Sequence, residues 1–83
     1  MFTVYTKPNC TYCEQAKALL KSKSQPFEII NVDVGQPKVE GQKYITVQEL
    51  KEAIPTAMTV PQILQEGRLI GGFRELQQVL GGA

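Results

Sequence analysis

The sequence predicts a layered α/β domain of four strands and three helices, in the order β-α-β-α-β-β-α. Two observations carry this. A short apolar strand pattern, an amphipathic helical pattern and a β-branched run follow one another within the first 34 residues. That is a βαβ unit, with parallel strands and a right-handed crossover. Later, two short strand patterns flank Gln65-Glu66-Gly67, which reads as a hairpin turn. At 83 residues the chain is expected to form one domain, 1–83, around one compact core.

The first strand is expected over residues 2–6, and Pro8 breaks it. The first helix runs from about Thr11 to Lys23, with Cys13, Ala16 and Leu20 on one face, and Pro26 stops its continuation. Residues 27–34 are rich in β-branched side chains and form the second strand, ended by Gly35. Residues 35–45 read as a polar connection. Thr46-Val47-Gln48-Glu49 is a capping box that opens the second helix. Val47, Leu50 and Ile54 make its apolar face, and Pro55 ends it. The hairpin strands are expected at 62–64 and 68–70. The third helix carries Phe73, Leu76, Val79 and Leu80 on one side and stops at Gly81-Gly82.

Composition narrows the function. Hydrophobic residues make up 42% and charged residues 20%, which is a globular balance rather than a disordered one. The net charge is +1 without a basic run, so no nucleic-acid footprint is expected. No segment approaches the ~20 apolar residues of a membrane span. The chain opens directly on a strand, so no signal peptide is expected. Histidine is absent, which excludes a histidine base. Only two cysteines are present, so one chain cannot supply the four Cys or His ligands of a structural zinc site. Two cysteines three apart close too small a loop to staple a secreted fold, so a reducing, cytoplasmic compartment is expected.

Those cysteines, in Lys7-Pro8-Asn9-Cys10-Thr11-Tyr12-Cys13, fall at a strand-to-helix junction. A Cys-x-x-Cys there reads as a thiol–disulfide redox site. Unpaired N–H groups and the positive end of the helix dipole favour a thiolate at Cys10, lowering a thiol pKa from about 8.5 toward roughly 3.5–7.5. Cys13, one turn further in and deeper, is the resolving thiol. A small buried pair and half of a metal site are the alternatives. Pro61 is a candidate cis proline, which would turn the Val60 main chain outward to pair with an extended peptide. On spacing alone a trans proline at a strand start is favoured. Gly71-Gly72 before a helix suits close approach of a carboxylate, though on its own a plain turn is favoured. Tyr12 either covers the thiol pair or packs, and Lys7 either binds an anion or is solvated.

Taken together, Lys7-Pro8-Asn9-Cys10-Thr11-Tyr12-Cys13, Thr59-Val60-Pro61-Gln62 and Ile70-Gly71-Gly72-Phe73 resemble the glutaredoxin family of the thioredoxin superfamily. The dithiol type, and short bacteriophage members in particular, look most similar. The resemblance implies a thioredoxin-like fold with a four-stranded mixed sheet. The first and third strands would be central, the second at one edge and the fourth, antiparallel, at the other. It implies glutathione as reductant or co-substrate, with no metal. It implies that Cys10 attacks a disulfide, Tyr12 lines the thiol site and Lys7 faces the glycine carboxylate of glutathione. Thr59 and Val60 would pair with the cysteinyl backbone, and Pro61 would be cis. The γ-glutamyl carboxylate would rest on N–H groups around Gly72, Phe73 and Arg74. Expected partners are disulfide-containing or glutathionylated proteins, ribonucleotide reductase among them, met by a monomer. Three positions depart from the family pattern: Thr11 where many dithiol members have proline, Arg74 where a small polar residue is common, and Glu75 where Asp is frequent. Two further readings belong to this resemblance. One is a dimer bridged by an iron–sulfur cluster on Cys10 and two glutathione thiolates. The other is a thioredoxin-like reductase that does not depend on glutathione.

Overall fold

The computed structural model describes residues 1–81. Its elements are β1 (Phe2–Thr6), α1 (Thr11–Ser22), β2 (Phe27–Asp33), β3 (Lys43–Thr46), α2 (Val47–Ala53), β4 (Gln62–Gln65), β5 (Arg68–Gly71) and α3 (Phe73–Val79). The strands form one sheet in the order β3-β2-β1-β4-β5. β1, β2 and β3 run parallel, while β4 is antiparallel to both β1 and β5.

The fold class is the α/β, thioredoxin-like one expected, with one correction. The sheet has five strands rather than four, and β2 is an interior strand. The added edge strand, β3, lies partly inside the expected polar connection. It is short and half-exposed, and main-chain pairing to β2 holds it, together with polar side chains. Asn31 Nδ2 donates to the Lys43 carbonyl at 3.0 Å, and Lys43 pairs with Glu28 across the strands. A four-residue edge strand buries too little apolar surface to print a periodic pattern.

Helices cover both sheet faces. On one, Phe2 and Val4 of β1 and Ile63 of β4 pack against Ala16 and Leu20 of α1 and Leu76 of α3. On the other, Val32 meets Leu50, Ile54 and Ala57. The expected inward face of α1 is the observed one: Cys13, Ala16 and Leu20 are all fully buried. α1 ends at Ser22, with Lys23 as its C-cap. The capping box at α2 is present in both halves: Thr46 Oγ1 accepts the Glu49 N–H at 3.0 Å, and Glu49 Oε1 accepts the Thr46 N–H at 2.8 Å. Val47, on the apolar face of α2, is its first helical residue and is 42% exposed; it lines a surface groove together with Leu50. Val79 is also exposed, while Leu76 alone on α3 is fully enclosed. The β4–β5 turn places Glu66 (φ 51°) and Gly67 (φ 79°) in the left-handed region, the geometry of a tight two-residue hairpin. α3 ends at Val79 with Leu80 as its C-cap, and Gly81 of the expected Gly81-Gly82 stop follows at φ 64°; Gly82 lies outside the described residues.

Candidate active site

At the end of β1 the chain reverses through Pro8 and Asn9, and Asn9 adopts φ 58°, a conformation that asparagine tolerates. This delivers Cys10 to the N-cap of α1 with extended backbone. An N-cap side chain normally offers an oxygen to a first-turn N–H. Here the acceptor is sulfur: the Cys13 N–H donates to Cys10 Sγ at 3.2 Å.

Cys10 and Cys13 are joined as a disulfide with a Cα–Cα distance of 5.2 Å. Cys13 is fully buried and Cys10 is half-buried. The same N–H and the positive helix end that hold the Cys10 sulfur suit a thiolate once the bond is reduced. Solvent reaches Cys10 and not Cys13.

The outer sulfur sits 3.8 Å from the Val60 carbonyl oxygen. The Val60–Pro61 peptide bond is cis. Val60 is also a wall of an open cleft of about 520 Å³, lined by Tyr12, Thr59, Val60, Pro61, Gly72, Phe73, Arg74, Glu75 and Gln77. Eight of the nine residues expected to bind a small peptide therefore meet in one place. Tyr12, 62% exposed, stands tilted against Phe73 with ring centroids 6.1 Å apart. The ninth, Lys7, is absent from these walls and lines an adjoining groove that shares Thr59 and Val60. Gln77 was not expected. It lies four residues after Phe73, so helical spacing puts both on one side of α3.

The two glycines have different jobs. Gly71 has φ +121°, and a Cβ there would meet Glu75 Cγ and Oε1 at 2.7 Å. Gly72 caps α3, and its N–H donates to Glu75 Oε1 at 2.8 Å. That N–H is already committed, whereas the N–H groups of Phe73 and Arg74 lie in the first helical turn, where no intrahelical acceptor is available. Neither Lys7 nor Arg74 pairs with a carboxylate among the described residues. Behind the junction, Thr6 is 2% exposed and its hydroxyl has no hydrogen-bond partner among the described residues. The displaced titrations lie elsewhere. Asp33 is held below the usual carboxylate range, first by its hydrogen bond with Lys38 and then by the Gly35 N–H. Lys38 is raised in turn by the same bond.

The Glutaredoxin family model matches residues 2–70, which takes in both cysteines and the Val60–Pro61 segment. The chain belongs to the glutaredoxin family. It is 34% identical over 84 residues to the glutaredoxin of Enterobacteria phage T4, an alignment covering 94% of this chain and 97% of that protein. It is 38% identical over 73 residues to glutaredoxin 3 of Escherichia coli (strain K12), covering 88% and 77%. Among solved structures, glutaredoxin 1 from Francisella tularensis, complexed with cacodylate, superposes with a TM-score of 0.71 at 24% identity, covering 98% of this chain and 92% of that one. A buckwheat glutaredoxin–glutathione complex superposes with a TM-score of 0.61 at 18% identity, covering 98% and 69%. The family and the Cys10–Cys13 pair make this chain a thiol–disulfide oxidoreductase. No group of three or more metal-binding side chains occurs among the described residues. No helix among them is long and apolar enough to cross a membrane.

Proposed function

We propose that the chain is a glutathione-dependent oxidoreductase that reduces glutathione mixed disulfides and protein disulfides through Cys10 and Cys13. The observation that carries this reading is the position of the outer sulfur beside the Val60 main chain, with an unpaired cation to either side: Arg74 in the cleft and Lys7 beyond Thr59 and Val60. Glutathione has a carboxylate at each end and its thiol between them. In this reading its cysteinyl backbone pairs with Thr59 and Val60, its glycine carboxylate meets Lys7, and its γ-glutamyl end meets Arg74 and the adjacent N–H groups. Tyr12 and Phe73 wall the thiol. Pro61 and Gly72 let the ligand approach closely, and Glu75 acts by holding the Gly72 turn. The glutathione seen with the buckwheat relative supports the assignment of the ligand class.

Mechanistically, the Cys10 thiolate attacks the glutathione sulfur of a mixed disulfide and the target leaves as a thiolate. A second glutathione thiolate then attacks the glutathionyl group on Cys10 and releases oxidised glutathione. With a protein disulfide, Cys10 joins one target sulfur and Cys13 displaces it, leaving the Cys10–Cys13 bond. A pre-formed thiolate removes the need for a general base, which suits a chain without histidine. Cytoplasmic disulfide proteins, ribonucleotide reductase among them, are the partners proposed, acted on by a monomer. Steady-state turnover with glutathione plus glutathione reductase, compared with turnover by thioredoxin reductase, tests the reading. Activity with the first system is expected. Activity with the second alone would contradict it.

A further inference from the structure

The cleft is met at Thr59 and Val60 by a second groove of about 160 Å³. Val34, Val47, Leu50 and Met58 wall it, and Lys7 and Lys51 line it with them. Val34, Val47 and Met58 are 54%, 42% and 93% exposed. Single exposed apolar side chains are ordinary on a protein surface. Three in one groove, continuous with a redox site, are a candidate docking surface. The lysines define its charge, since neither pairs with a carboxylate among the described residues.

This inference rests on the glutathione orientation given above. Glutathione ends at its glycine, over Lys7, and leaves the rest of the groove unfilled. A protein target continues. The residue after its reacting cysteine takes the glycine position, and at about 3.3 Å per extended residue the next one or two reach the groove. We propose that this groove receives the target segment just C-terminal to the reacting cysteine, and that it selects an apolar side chain next to an acidic one. The aliphatic walls take the apolar side chain, and Lys51 with Lys7 attracts the carboxylate. The reaction is the ordinary exchange: Cys10 displaces one target thiolate, Cys13 displaces the other, and the two electrons and two protons of the dithiol end on the target thiols.

The test uses the reduced protein alone, in single turnover, against two peptide disulfides. One carries Cys-Gly-Leu-Glu on each half and the other Cys-Gly-Ser-Lys. The Leu-Glu peptide is expected to react about tenfold faster. Met58→Ser should lower that advantage roughly threefold. Lys51→Glu should favour lysine over glutamate in peptides that differ only at that position, and 0.5 M salt (roughly a Debye length of a few ångströms) should erase the charge preference. Both exposed variants should leave turnover of a small glutathione mixed disulfide unchanged. Equal wild-type rates for the two peptides, or a preference that survives both variants, would overturn the proposal. So would a concentration-dependent dimer in sedimentation that Met58→Ser abolishes, since a second copy would then occupy the groove. The assay contains no glutathione. A peptide preference without glutathione turnover would therefore fault the ligand assignment separately from the groove.

Discussion

Cys10 and Cys13 are separated by one helical turn and live in different solvents. Cys10 caps α1 at the mouth of the cleft, with a main-chain N–H on its sulfur and the Val60 carbonyl beside it. Cys13 is sealed beneath it, on the same face of α1 as Ala16 and Leu20. In the proposed mechanism, position on the helix, rather than any difference between the side chains, divides attack from resolution. The outer sulfur can meet a substrate but is anchored by the inner one, and the inner one is reached only through the outer.

The sharpest way to break this asymmetry is to delete each sulfur in turn. Cys10→Ser should reduce all disulfide turnover to the uncatalysed background. Cys13→Ser should keep turnover of glutathione mixed disulfides while losing reduction of protein disulfides, read in parallel assays. Next in size is the core beneath α1, the helix that carries Cys13. Leu20→Ala should cost about 2–5 kcal/mol of stability in denaturant unfolding, because Leu20 is fully buried and its removal leaves a cavity. On the cleft side, Gly71→Ala should push Glu75 off the Gly72 N–H and add strain at a positive φ, costing roughly 1–3 kcal/mol and raising KM for glutathione more than it lowers kcat.

Thr6→Val probes the interior directly. The Thr6 hydroxyl is buried without a partner, so an isosteric apolar replacement should leave stability unchanged or raise it by about 1 kcal/mol. Loss of stability by that amount would reveal a hidden partner. The smallest effect is that of the exposed Asp33–Lys38 pair, bonded at 2.9 Å. Asp33's folded pKa is lowered, so its contribution is full above the unfolded value of about 3.9 and is lost as pH falls through the lower folded one. Lys38's is raised, so its share is full below about 10.4 and is lost as pH rises through the folded value. Asp33→Asn should flatten both limbs without touching turnover.

How legible this was depended on what held each part in place. The Cys10 junction, the inward face of α1 and the capping box at Thr46 follow from local chemistry, and local chemistry is what a sequence displays. The clustering of Tyr12, Val60 and Gly72 is a long-range fact. Spacing alone favoured a trans Pro61 at a strand start and a plain turn at Gly71-Gly72, and only their combination pointed to one cleft. β3 escaped because main-chain pairing to β2 holds it, with Asn31 and Glu28 as its polar partners, and such bonds leave no hydrophobic period. Val47 shares Leu50's groove yet stays 42% exposed, because a helical period fixes which residues share a face but not how deeply each is buried. Gln77 was missed because no side-chain chemistry marks it. Its place on the cleft wall comes from α3's rotation alone.

The central claim is that the outer sulfur alone carries the attack. Its most direct test is mass spectrometry of the two single-cysteine variants after exposure to a glutathionylated peptide. The expected result is one glutathione adduct on Cys10 in the Cys13→Ser protein, removed by added glutathione, and no rapid adduct on Cys13 in the Cys10→Ser protein. A fast, glutathione-reversible adduct on Cys13, with turnover intact in the Cys10→Ser protein, would contradict the account.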